Sequence, residues 1–217
     1  MTKRRMADSI EGVQVMTAHL EPNPHGAAGG GKPCAIVVID MVGDMFIPSE
    51  LAVQRDSLVT AINELLAHGR EAGHSIVWVR QELAEDLSDA PLQFRLEEIH
   101  RTIVGTPGAM LLGELDSAPG DTEVIKKRYS AFFGTRLYEY LQEKSIRSIA
   151  VVGVNTHACV RTTAIDAYQH DYPVYVISDC VGSYDLEHHE VTLRYIDGKI
   201  GTVLSLAEFI SVSAGWS

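Results

Sequence analysis

One cysteine in this chain stands where a nucleophile would be placed. The stretch Ile149-Ala150-Val151-Val152-Gly153-Val154-Asn155-Thr156-His157-Ala158-Cys159-Val160-Arg161 begins as a continuous apolar run, the pattern of a strand buried on both faces. It continues with apolar residues at helical spacing through Tyr168, so Cys159 falls on a strand-to-helix turn. There the helix dipole and unpaired backbone N–H groups are expected to lower a thiol's pKa, and the N–H groups of Asn155 and Cys159 are the candidates to hold a developing oxyanion. Two further groups complement the thiol. Asp40 closes the apolar run Cys34-Ala35-Ile36-Val37-Val38-Ile39, and the basic pair Lys126-Lys127 follows Glu123-Val124-Ile125. A carboxylate can take the thiol proton, an ammonium can steady the charge, and the thiolate can attack a carbonyl. The residue types alone leave open which of the two lysines takes part.

These three groups meet only if strands bring them together. The run Cys34 to Ile39 reads as a central parallel strand, Ser75 to Arg80 as the next, and Glu123 to Ile125 as a short third. The stretch ending at Val154 and the run Pro173 to Asp179 supply the fourth and fifth, and Ile200 to Leu204 the last. Between them, Asp56 to Ala72 sets Leu58, Val59, Ile62, Leu65 and Leu66 on one helical face, with Gly73 as the stop. Helices are also expected near Leu92 to Ile99, Thr135 to Glu143, Leu186 to Ile196 and from Ser205 onward. This alternation predicts an α/β fold: a doubly wound, Rossmann-like, mainly parallel six-stranded sheet with helices on both faces and right-handed crossovers. Such sheets bind ligands just beyond the carboxyl ends of their strands, where Asp40, the basic pair and Cys159 all lie. Gln81 to Asp121 has poor periodicity and reads as a segment that covers substrate.

Composition narrows the class. The 217 residues are 46% hydrophobic and 22% charged, enough for one globular domain, expected over 32–217. Residues 1–31 end in Pro22-Asn23-Pro24-His25-Gly26-Ala27-Ala28-Gly29-Gly30-Gly31, a linker-like N-terminal extension that would find order only against a neighbouring subunit. A formal net charge of −11 argues against nucleic acid and anionic membrane as partners. Three cysteines without a C-x-x-C pair, no apolar stretch of membrane-spanning length and no signal-peptide core point to the cytoplasm. The nine histidines form no metal-ligand spacing.

Three motifs in order carry a resemblance to a family. They are Ala35-Ile36-Val37-Val38-Ile39-Asp40-Met41 with Asp44 and Phe46, Lys126-Lys127-Arg128-Tyr129-Ser130-Ala131-Phe132, and Val152-Gly153-Val154-Asn155-Thr156-His157-Ala158-Cys159-Val160. From about residue 33 to the C-terminus the chain resembles the isochorismatase-like cysteine hydrolases, among them nicotinamidases, N-carbamoylsarcosine amidases, ureidoacrylate and biuret hydrolases and maleamate amidases. The resemblance implies an Asp-Lys-Cys triad that cleaves amide or ureide C–N bonds through a thioester, with Asp40 as base, Lys126 rather than Lys127 as the lysine, and Cys159 as nucleophile. It also implies a cis Val154–Asn155 peptide that aims the Asn155 N–H at the oxyanion, no cofactor, and a homo-oligomer, dimer or tetramer.

Departures from the family pattern shape the expectation. Asn155 replaces a small residue and His157 a common asparagine, so a polar side chain stands beside the oxyanion hole, to reshape it or to contact substrate. The metal-binding histidines that nicotinamidases carry after the second strand have no counterpart in Arg80-Gln81-Glu82-Leu83-Ala84-Glu85-Asp86-Leu87, so neither a metal nor a pyridine amide is expected. The expected partner is a small amide or ureide. Arg128 reads either as a clamp for a substrate carboxylate or as a structural ion pair. Arg80 ends a strand and is a candidate for substrate binding, Phe46, Tyr129 and Phe132 line a pocket or belong to the core, and Thr156 is a further candidate substrate contact. Vinyl-ether hydrolysis of the isochorismatase type and a ligand-binding relative without turnover are the alternatives.

Overall fold

The computed structural model describes residues 33–47 and 50–216; the expected extension over 1–31 lies outside the described residues. Six strands form one sheet: β1 (Cys34–Ile39), β2 (Ser75–Gln81), β3 (Thr122–Lys126), β4 (Ser148–Val154), β5 (Val174–Gly182) and β6 (Thr202–Leu204). Their order is β3-β2-β1-β4-β5-β6, and every pair is parallel. The chain steps outward from β1 to β3, returns to β4 beside β1, and steps outward again to β6. Right-handed crossovers on either side of that reversal put helices on opposite faces. Accordingly α1 (Arg55–Glu71) packs with α6 (Leu206–Ser213), while α4 (Arg161–Gln169) packs with α5 (Leu186–Ile196). The short α2 (Leu92–Leu96) and α3 (Leu137–Glu143) complete the set.

Every residue of β1 and β4 is buried, as their unbroken apolar sequences require of strands covered on both faces. Between them Ile39 pairs with Gly153, and a Cβ at Gly153 would fall 2.1 Å from the Ile39 carbonyl oxygen. With φ at +104° as well, only glycine allows the two strand ends this close. Beyond the expected Asp179, β5 runs three residues further to Gly182, past a register shift opposite Val151 and Gly153. That extension matters because it carries the backbone that receives the cysteine turn.

The segment after β2 is more ordered than its sequence suggests. Leu83 and Ile103 close its neck by paired backbone hydrogen bonds, Leu83 N to Thr102 O and Val104 N to Leu83 O, each 2.8 Å. Inside the excursion Leu83, Leu87, Ala90 and Ile103 form a small core of their own, with Phe94 packed against it. The periodicity is hidden because these apolar residues serve a compact loop rather than a helix or strand. Among the described residues no helix is long and apolar enough to cross a membrane.

Candidate active site

Strand ends build the site. Asp40 follows β1 with a left-handed φ of +52°, which turns its side chain back under the sheet's carboxyl edge. Its Oδ1 accepts a hydrogen bond from the backbone N of Gln81, 2.8 Å away, and its Oδ2 pairs with Lys126 Nζ at 2.7 Å. Gln81 and Lys126 are register partners at the ends of β2 and β3, so both side chains rise from the same face. Lys126 Nζ then reaches Cys159 Sγ at 3.4 Å and the Arg128 carbonyl oxygen at 3.1 Å. Three residues drawn from β1, β3 and the turn after β4 thus share one ammonium, and the side chains of Asp40 and Lys126 have no exposure at all.

The turn carrying the thiol differs from the start of an ordinary helix. Thr156–Val160 form one π-helical turn, in which Val160 N donates to Asn155 O, before α4 begins at Arg161. Such a turn holds an extra residue and recurs where a side chain has to be re-aimed. The Val154–Asn155 peptide at its start is cis. Asn155 occupies the capping position yet makes no side-chain cap; its Oδ1 instead accepts from Tyr184 N at 3.3 Å.

The electrostatics correct one expectation. The thiol is not acidified: burial first, and the Asp40 charge second, push Cys159 from 9.0 up to about 12, against the opposing pull of Lys126. Desolvation of a residue only 5% exposed, together with the facing anion, outweighs the helix-terminal field. Burial alone would lower the Lys126 pKa, but Asp40 and then Cys159 hold it above the ordinary lysine value. The resting site therefore holds a cationic lysine and a protonated thiol.

The other candidates are placed as follows. Arg80 is engaged by Glu82 at 2.5 Å and Glu123 at 2.6 Å, and also donates to Ala109 O. Arg128 Nη1 donates to the carbonyl oxygens of Asp89 and Lys127, fastening the excursion after β2 to the end of β3. Lys127 turns away from the thiol to Asp89, 2.8 Å distant. Phe46 and Phe132 are buried with the main core, whereas Tyr129 is exposed. The Thr156 hydroxyl donates to Gly182 O and lies 2.9 Å from His189 Nδ1, while His157 Nδ1 lies 2.6 Å from Ser183 Oγ. A hydroxyl that donates its one hydrogen to Gly182 accepts from His189, which fixes the Nδ1–H tautomer there. Two residues escape sequence reasoning: Gln81, whose backbone orients Asp40, and Thr102, whose hydroxyl lies 3.3 Å from Gln81 Oε1 and whose N–H donates to Asp44 Oδ2. Only the exact end of β2 could have flagged the first. Among the described residues, no group of three or more His, Cys, Asp or Glu side chains is arranged to hold a metal ion.

An isochorismatase domain profile matches residues 34–208, which span all six strands and every group just described. The chain belongs to the isochorismatase family. It is 33% identical to a protein named as a probable inactive nicotinamidase of Arabidopsis thaliana, over 76% of this chain and 87% of that one. It is 28% identical to a maleamate amidohydrolase of Pseudomonas putida, over 82% of this chain and 85% of the relative. Among solved structures, N-carbamoylsarcosine amidase of Thermoplasma acidophilum superposes with a TM-score of 0.68 at 26% identity, covering 80% of this chain and 96% of its own. Within the isochorismatase family this chain thus has amidase relatives, together with one named as a probable inactive enzyme.

Proposed function

We propose that this isochorismatase-family protein is a cysteine amidohydrolase that cleaves the C–N bond of a small amide or N-carbamoyl compound through a thioester. The observation that carries the reading is the shared ammonium: Lys126 Nζ stands 2.7 Å from Asp40 Oδ2 and 3.4 Å from Cys159 Sγ at the carboxyl edge of the sheet. The maleamate amidohydrolase and N-carbamoylsarcosine amidase among its relatives support the same class of bond.

A thiol pushed up to about 12 is almost entirely protonated at pH 7. Ionising it beforehand would cost roughly 7 kcal/mol, five pKa units at about 1.4 kcal/mol each. A base that accepts the proton as the C–S bond forms avoids most of that cost, and Asp40 is the base at hand. In the first half-reaction Cys159 Sγ bonds to the substrate carbonyl carbon while its proton passes to Asp40. The carbonyl π pair moves onto oxygen, which the N–H groups of Asn155 and Cys159 would receive. Collapse of this adduct breaks the C–N bond, and the leaving nitrogen takes the proton from Asp40 and departs as ammonia or an amine. In the second half-reaction water adds to the thioester with Asp40 again taking a proton, and cleavage of the C–S bond returns the proton to sulfur and releases a carboxylic or carbamic acid. Lys126 stays cationic throughout, steadying first the carboxylate and then the sulfur.

The test is covalent trapping. The protein is incubated with a panel of primary amides and N-carbamoyl compounds and quenched in acid, and intact mass is recorded. An acyl adduct on Cys159, with ammonia release that disappears in Cys159→Ala, is the expected result. Amide turnover that survives Cys159→Ala would overturn the thioester, and isochorismate conversion that survives it would favour vinyl-ether hydrolysis.

A further inference from the structure

The side chain of Asn155 has no place in the reaction as written, yet it is 92% buried beside the groups that carry it, with an exposure of 8%. Asparagine is among the best N-terminal caps, and Asn155 sits at the capping position of the cysteine turn without capping it. Its amide is committed elsewhere, and the commitment fixes its orientation. The Tyr184 backbone N can only donate, so the atom 3.3 Å from it has to be the Asn155 oxygen. The NH2 group therefore points away from Tyr184, and among the described residues it has no hydrogen-bond partner. A buried amide donor held by its oxygen, and left open at its nitrogen next to the thiol turn, is a site for an acceptor that the folded chain does not supply.

Resting on the amidohydrolase reading, we infer that the Asn155 side-chain NH2 is a specificity donor that selects substrates carrying a second hydrogen-bond acceptor besides the scissile carbonyl. The acceptor is a further carbonyl or a carboxylate oxygen, as in a diamide, a ureide or an amide of a dicarboxylic acid. A simple monoamide has nothing to place there and forgoes this bond. The donor acts on binding through a contact distinct from the backbone N–H groups that face the oxyanion.

Binding to the Cys159→Ala protein, which does not turn over, tests this separately from the chemistry. Malonamide (a neutral second carbonyl), N-carbamoylglycine (a carboxylate) and propionamide (neither) are titrated calorimetrically into that protein with Asn155 intact, with Asn155→Ala and with Asn155→Asp. Asn155→Asp keeps an oxygen for Tyr184 N while removing the donor, and it guards against a result that reflects only a disturbed turn. The inference expects malonamide or N-carbamoylglycine to bind, about three- to tenfold more weakly in both variants, with propionamide unchanged. Whichever of the two responds identifies a neutral or an anionic acceptor. Equal weakening for all three compounds, no weakening, rescue by Asn155→Asp of malonamide binding, or no binding of either acceptor-bearing compound overturns it. Thioester trapping in the parent protein with binding indifferent to Asn155 keeps the amidohydrolase reading and discards this inference; donor-dependent binding without turnover does the reverse.

Discussion

Replacing Asp40 with asparagine should stop hydrolysis and at the same time make the nucleophile more reactive toward a probe that needs no base. After burial, the Asp40 charge is the largest influence holding the Cys159 thiol at about 12. A unit charge about 4 Å away at an effective dielectric near 20 is worth about 4 kcal/mol, or about three pKa units. Neutralising the carboxylate also frees the ammonium of Lys126, 3.4 Å from the sulfur, to act on the thiol alone. Three units raise the thiolate fraction at pH 7 about a thousandfold, but a more acidic thiol is a weaker nucleophile. With a Brønsted slope of about 0.4–0.5 the net gain toward a small disulfide is roughly 30- to 60-fold. The assay is labelling by a small neutral disulfide at pH 7, followed by mass spectrometry of the Cys159 peptide. Cys34 and Cys180, both buried thiols with raised pKa values, serve as internal controls whose labelling should not change. Hydrolysis of any substrate found should fall about 10²- to 10⁴-fold in the same variant. A folded Asp40→Asn protein whose Cys159 labels no faster than the parent would refute the argument, because Asp40 would then not be opposing ionisation of the sulfur.

Four other outcomes follow from the same geometry. Lys126→Met strands the Asp40 carboxylate in a fully buried site and should cost about 3–5 kcal/mol of stability in urea unfolding. The unfolded Cys159 thiol ionises near 9.0 and the folded one near 12, so its contribution is intact below pH 9 and fades as pH rises through that window, by up to about 4 kcal/mol; Cys159→Ala should flatten this part of the alkaline stability curve. Gly153→Ala drives a Cβ into the Ile39 carbonyl and should destabilise by at least about 2 kcal/mol, with a fall in thermal midpoint and in activity together. Arg80→Gln should cost about 1 kcal/mol of stability and leave KM unchanged, since its guanidinium is taken up by Glu82 and Glu123; a tenfold rise in KM would show instead that it meets substrate.

What the sequence disclosed follows from which interactions are local. The six strands and their parallel arrangement were legible because β1 and β4 are unbroken apolar runs, and α1 and α5 have clear one-sided periodicity. A thiol at the end of β4 and an acid at the end of β1 were then bound to approach each other, because those strands are neighbours where the winding reverses. Less legible was anything fixed by register. The bond from Gln81 N to Asp40 spans 41 positions, and that from Tyr184 N to Asn155 spans 29, so neither leaves a mark in a local pattern. The acidity of the thiol departs from the sequence expectation for a related reason. Position at a helix start is visible in sequence, but the depth of burial and the anion beside it emerge only once three strand ends converge.

The excursion after β2 closes its own neck, fills itself with Leu83, Leu87, Ala90 and Ile103, and is held beside the chemical centre by Arg128 on the Asp89 carbonyl oxygen, by Lys127 on the Asp89 carboxylate and by Thr102 next to Gln81. Asp44 grips the same threonine from the other side. Its apolar filling is its own, while its polar fastenings gather at Asp89 and Thr102. Exchanging residues 91–100 for a segment of another composition, with Asp89, Thr102 and Asp44 left in place, alters the module while leaving its ties to Arg128, Lys127 and Gln81 intact.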